Sequence, residues 1–249
     1  MADRKKHILG VENLSKSFGH VRAIENVSVD FYAGEITAIV GDNGAGKSTL
    51  IKMLSGAERP DRGKICINKV EHNFFTPSEA IENGIATVYQ DLGLVNCMDI
   101  SSNIFLGLEP LRKGIFVDKA RMKRESRELI EKLRIGISDM DLLAGNLSGG
   151  QRQALAIGRA IKQGGRILIL DEPTAAMGVK ETQQVIELLL NLKTQGYTII
   201  IITHNMQQVF SLSDRVVVMR QGRVAGDLST GESSHNEVVG LITGMEGVS

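Results

Sequence analysis

The chain has no tryptophan, only 4% aromatic residues, two cysteines and no net charge: 29 Lys and Arg balance 29 Asp and Glu over 249 residues. Each shortage excludes something. Without a basic excess the electrostatic footprint of a nucleic-acid binder is missing, and with so few aromatics so are base-stacking platforms. Cys66 and Cys97 offer neither a disulfide framework nor metal-ligand spacing, which points to a reducing compartment. The longest apolar runs, such as 199–202, fall far short of a membrane span. The basic start (Arg4, Lys5, Lys6) is followed by Asn13, Ser15 and Lys16 rather than by a signal-peptide core. A soluble cytosolic protein is the expectation. Hydrophobic residues at 42% and charged ones at 23% are ordinary globular usage, and the length suits one to two domains with a real core. Glycine is in excess, with 27 residues against about 7% in an average chain.

Along the chain, Val27, Val29 and Phe31 alternate with Ser28, Asp30 and Tyr32, the pattern of a half-buried antiparallel strand. Residues 33–35 turn it into a fully apolar strand at 36–40. A glycine-rich loop follows, then a helix over 47–55 closed by Gly56. Strands are predicted at 64–67 and 86–89. The middle changes character: Met122, Leu129, Ile130 and Leu133 share one face of a charged helix over 118–133. A second helix spans 149–162 and stops at Gly164 and Gly165. Apolar strands return at 167–170, 197–203 and 215–219, with a helix carrying Val185, Ile186, Leu189 and Leu192 between the first two. That order implies a parallel sheet covered on both faces, interrupted by a helical insertion over 93–163. No internal repeat or low-complexity linker is visible.

Gly41-Asp42-Asn43-Gly44-Ala45-Gly46-Lys47-Ser48-Thr49 fits the phosphate-loop pattern, and it lies between a strand and a helix as that motif requires. The glycines let backbone N–H groups turn inward around an anion, and the helix start adds positive character. Lys47 would reach the β- and γ-phosphates and Ser48 would hold Mg²⁺. The apolar run 167–170 ends in Asp171 and Glu172. Asp171 would act through the Mg²⁺ shell, and Glu172 could polarise an attacking water as general base. Asn68-Lys69-Val70-Glu71 has the wrong last residue and place for a guanine reader, and reads as a surface turn. Ser148 and Gln151 fit a helix capping box, yet the two glycines between them lower helix propensity by up to about 1 kcal/mol each. A helix start stripped of side chains suits close approach of a phosphate.

Leu147-Ser148-Gly149-Gly150-Gln151 resembles the signature of ATP-binding-cassette (ABC) ATPases, and residues 41–49 and 171–172 fall in that family's order. Gln90 is similar to the family's Q-loop glutamine, which touches Mg²⁺ and senses a transmembrane partner. His204 resembles the switch histidine at the γ-phosphate, and Phe18 the aromatic that stacks on adenine. The resemblance covers about residues 10–222. More finely, VYQDL at 88–92, NIFLG at 103–107 and EVVGLITG at 237–244 resemble bacterial sugar importers of the ribose, xylose and fructose type. Gly178 stands where the general family has the D-loop aspartate.

The resemblance implies a RecA-like P-loop NTPase core with an antiparallel β subdomain (1–92 and 164–222), a helical subdomain (93–163) and a C-terminal tail (223–249). It implies ATP and Mg²⁺, with Ser148 and Gly150 of a second copy closing over the γ-phosphate and Glu172 and His204 serving hydrolysis. It implies permease subunits, a sugar-binding protein at one remove, and a place on the inner face of the membrane. Two other readings stay open on sequence alone. One is a soluble ABC ATPase acting on nucleic acid or ribosomes, although no basic extension or tandem cassette is seen. The other is a cassette that binds ATP but barely hydrolyses it.

Overall fold

The computed structural model describes residues 6–244; Arg4, Lys5 and the last five residues of the tail lie outside the described residues. Strands β1 (His7–Phe18) and β2 (Val21–Tyr32) form an antiparallel pair from His7–Tyr32 to Phe18–Val21. Val27, Val29 and Phe31 are buried while Ser28 and Asp30 are exposed, as the alternation predicts. The turn at 33–35 leads into β3 (Ile36–Val40), buried throughout. Helix α1 (Lys47–Leu54) leaves the glycine loop without a side-chain cap, and Gly56 ends it.

β4 (Arg62–Ile67) and β5 (Val70–His72) complete an antiparallel sheet of order β2-β1-β4-β5. Asn68 and Lys69, both with positive φ, make the predicted surface turn between them. Helix α2 (Pro77–Glu82) starts from a Thr76–Glu79 capping box and leads to β6 (Ile85–Val88). Next come α3 (Ile100–Ile104), the hairpin β7 (Leu111–Arg112) and β8 (Phe116–Val117), α4 (Lys119–Lys132) and α5 (Gly149–Lys162). The chain then runs through β9 (Ile167–Asp171), α6 (Val179–Thr194), β10 (Thr198–Ile202), α7 (Met206–Leu212), β11 (Arg215–Arg220), β12 (Arg223–Ser229) and α8 (His235–Thr243).

The second sheet has the order β12-β11-β3-β10-β9-β6. Its strands run parallel except β12, which returns antiparallel to β11 at the edge. Alternating half-exposed and exposed residues in β12 have no continuous apolar run, which is why the sequence does not announce this strand. One face of the sheet packs on α1 and the antiparallel sheet through Ile39, Leu50, Ile169 and Phe31. The other packs on α5, α6 and α8 through Leu168, Ile157, Leu189 and Val238. A third cluster joins α3, α4 and α5 through Ile104, Met122, Ile130 and Leu155. Helix α5 therefore serves two cores from opposite faces. The short helices α2, α3 and α7 have five to seven residues, too few turns for a helical period to show in sequence.

Candidate nucleotide site

Register decides where the chemistry collects. Ile202 lies opposite both Ile39 and Asp171 across neighbouring parallel strands, so β3, β9 and β10 end at one level. Ligands of open α/β sheets bind at such carboxyl ends. A cleft of about 800 Å³ lies there, lined by residues 41–49, Gln90, Asp171, Glu172 and His204, with residues 21–23 at its side.

The loop needs its glycines for geometry. Gly41 has φ 145° and a Cβ would fall 2.1 Å from the Met219 carbonyl oxygen; Gly46 has φ 102° and a Cβ would fall 2.5 Å from the Ala23 oxygen. Lys47 Nζ donates to the carbonyls of Gly41 (2.6 Å) and Asp42 (2.9 Å), bracing the loop across its own mouth. Burial pushes the Lys47 pKa below its ordinary value, against the opposing pull of Glu172, Asp42 and Asp171.

Asp171 is the last residue of β9, and burial, then the charge of Glu172, raises its pKa. Glu172 occupies the left-handed region at φ 50°, with its N–H donated to the Ile202 carbonyl at 2.9 Å. A non-glycine residue held there stores strain that the surrounding structure must enforce. The bend turns its side chain into the cleft, where Oε1 lies 2.8 Å from His204 Nδ1. Glu172 is largely buried and His204 is 78% exposed. If Nδ1–H donates to the carboxylate, the neutral ring offers Nε2 as an acceptor; a second proton makes Nε2 a donor.

Other predicted residues stand elsewhere. Ser148 caps α5 as expected: Gln151 N–H donates to Ser148 Oγ (3.4 Å) and Ser148 N–H to Gln151 Oε1 (3.1 Å). Yet neither Ser148 nor Gly150 lines the cleft within one chain. The bareness of this turn also has a reason of its own. A Cβ on Gly150 would lie 3.3 Å from the Glu181 carbonyl oxygen, because α6 packs against it. Phe18 closes the β1–β2 pair opposite Val21, half exposed, with Lys16 Nζ 5.2 Å from its ring centre. Val21 lines the cleft and Phe18 does not.

The sequence reading missed Arg159, whose guanidinium donates to the carbonyls of Leu92 (2.6 Å) and Gly93 (2.7 Å) just after Gln90. It also missed Arg152, bonded to Asn96 and the Ala144 carbonyl, and Glu181, which accepts from the Gly149 N–H. No local spacing signals these contacts, since each joins separate segments, although Glu181 stands three residues after the α6 N-cap, where an N-terminal acid is expected. Space also gives Cys66 what sequence spacing does not: Glu12 and Glu71 place ligand atoms within 4.8 Å of it and of one another. Both carboxylates are exposed, however, and Glu71 is already paired with Lys64.

The donor set suits a magnesium nucleotide. Ser48, Gln90 and Asp171 offer the oxygen ligands a hard cation takes. Burial and then the charge of Glu172 raise the Asp171 pKa against the pull of Lys47 and Lys52, and Lys47 with the loop amides faces the same space.

Residues 24–175 match the ABC transporter family. The chain is 42% identical over 236 residues to the xylose/arabinose import ATP-binding protein of Sulfolobus acidocaldarius, covering 95% of this chain and 94% of that one. It is 40% identical to the fructose import ATP-binding protein of Rhizobium meliloti, covering 96% and 95%. A ribose import ATP-binding protein of Chromobacterium violaceum is also 40% identical, but this chain spans only 47% of its length. A nucleotide-free ATP-binding cassette from an ABC transporter superposes with a TM-score of 0.82 at 27% identity, covering 95% of each chain. The chain belongs to the ABC transporter family.

Proposed function

We propose that this ABC-family chain is the ATP-hydrolysing subunit of a sugar uptake system, acting as a pair of identical copies on separate membrane permease subunits. The observation that carries hydrolysis is the Glu172–His204 contact of 2.8 Å, inside the same cleft as Lys47 and the phosphate loop. The sugar reading is supported by the import proteins of xylose, arabinose, fructose and ribose that the chain resembles. Among the described residues no helix is long and apolar enough to cross a membrane; in this reading the permease is a separate subunit. The chain would sit on the inner face of the membrane, with a sugar-binding protein feeding the permease from the far side.

Amides of residues 41–49 and Lys47 would take the β- and γ-phosphates, and Phe18 the adenine. Ser48, Gln90 and Asp171 would hold Mg²⁺, which when bound draws charge from the phosphate oxygens. Glu172 would accept a proton from the attacking water, and protonated His204 would donate from Nε2 to a γ-phosphate oxygen. Ser148 and Gly150 of the partner subunit would close over that phosphate, so each site needs two chains. ATP then favours the closed pair only as far as it binds that state better than the open one.

The test is ATP turnover by the chain assembled with its permease and binding protein, with xylose, arabinose, fructose and ribose offered in turn. A sugar that stimulates turnover supports the reading. Unchanged turnover in Glu172→Gln would remove the catalytic assignment.

A further inference from the structure

In the general ABC family the residue at 178 carries a carboxylate, and here it is Gly178, with no side chain to offer. The position is the N-cap of α6, and its N–H still has a partner: the Glu181 carboxylate, three residues on, accepts it through Oε2 at 3.3 Å. The other oxygen of the same carboxylate, Oε1, accepts the N–H of Gly149 at 3.2 Å, at the first residue of α5. One side chain thus joins the starts of two helices, reaching a residue 32 positions away in sequence. The contact is enforced by packing, since Gly150 leaves only enough room for the Glu181 backbone and Cβ, both 3.3–3.4 Å from where its own Cβ would be.

The α5 start has four N–H groups without an intrahelical partner. Glu181 takes that of Gly149, Ser148 Oγ takes that of Gln151, and Gln151 Oε1 takes that of Ser148. Among the described residues the Gly150 N–H has no acceptor.

We infer that Glu181 is a positioning residue: its carboxylate locks the Ser148–Gly150 turn to the start of α6, leaving the Gly150 N–H and Ser148 Oγ set for the nucleotide held by the second copy. This rests on the proposed ATP-bridged pair. It predicts a division of labour within one chain. Binding of a nucleotide to the chain's own phosphate loop needs residues 41–49 and not Glu181, whereas ATP-driven pairing needs Glu181.

The experiment uses the full chain carrying Glu172→Gln, so that bound ATP persists, with and without Glu181→Ala or Glu181→Gln. Pairing is followed by light scattering as ATP is raised, and ADP affinity of each variant by calorimetry. Charge-assisted hydrogen bonds are worth enough that Glu181→Ala should require roughly tenfold more ATP for half-maximal pairing. Glu181→Gln, which keeps one acceptor oxygen, should fall between Ala and the parent, and ADP affinity should stay within about twofold. Equal ATP requirement in Glu181→Ala and parent overturns the role of Glu181 while leaving the paired reading intact. A matching loss of ADP affinity also overturns it, because the residue would then act through general stability. Failure of the Glu172→Gln parent itself to pair with ATP overturns the paired reading, and this inference with it.

Discussion

Glu172 and His204 meet because β9 and β10 run parallel in register: Ile202 lies opposite Asp171, and the residues just beyond place Oε1 2.8 Å from Nδ1. Their effects on turnover should be coupled. Glu172→Gln should lower the ATPase rate by about 10²–10⁴-fold with little change in ATP KM. His204→Ala should lower it less, and the double variant should lose less than the product of the two. Steady-state rates of the four forms give the coupling directly; strictly multiplicative losses would show that the contact does no joint work.

Gly41 is predicted to be irreplaceable for backbone reasons before any nucleotide is considered. With φ 145° and the Met219 carbonyl 2.1 Å from a would-be Cβ, Gly41→Ala should lose at least about 2 kcal/mol of stability. ADP binding should be lost in the same variant. Urea unfolding and calorimetry measure both. Gly44→Ala is the contrast, since nothing lies within 4 Å of its Cβ, although its φ of 82° still carries strain.

Arg159 ties the last third of α5 to the carbonyls after Gln90. Replacement by Met keeps much of the stem but leaves both carbonyls of Leu92 and Gly93 without this donor, at a cost of about 1–3 kcal/mol. Amide exchange at residues 90–95 should speed up in Arg159→Met before that of β9 or β10 does. Lys at this position should not restore protection fully, because an ammonium lacks the fork that spans two carbonyls. Equal exchange in all three forms would remove Arg159 as the anchor of this loop.

The carboxylate of Glu125 is bonded by Arg121 on its own helix and by Lys162 on α5, and these two hold its pKa down at about 2. A depressed folded-state pKa contributes stability above the unfolded value and loses it as pH falls through the folded one. Glu125→Gln should therefore be less stable than the parent at pH 7, by under about 1 kcal/mol because the pair is solvent-screened. The gap should close as pH falls from the ordinary glutamate range toward about 2. Thermal unfolding of both forms across that range reads it; a gap that widened on acidification would contradict the ion pairs.

Local chemistry was legible wherever a few neighbouring residues decide it. The loop at 41–49, the Ser148–Gln151 box, the apolar strands and the acids at 171–172 all depend on spacing within one turn or strand. Legibility failed for β12, whose edge position needs no apolar run, and for the short helices, which lack a full period. At Gly149 and Gly150 the sequence showed only one of two reasons for bareness: it reads as room for phosphate, and the close packing of α6 of the same chain against the turn is invisible in it.

The sequence by itself determined the long apolar strands, the phosphate loop, the Ser148 helix start and the acids at 171–172, because hydrogen bonding and burial along a single segment obey short periods. Only the tertiary structure decided which ends meet: His204 at Glu172, Arg159 at Leu92 and Gly93, Glu181 at Gly149. Those contacts depend on strand register and on how closely α5 and α6 pack, and register and packing are set by the whole core at once.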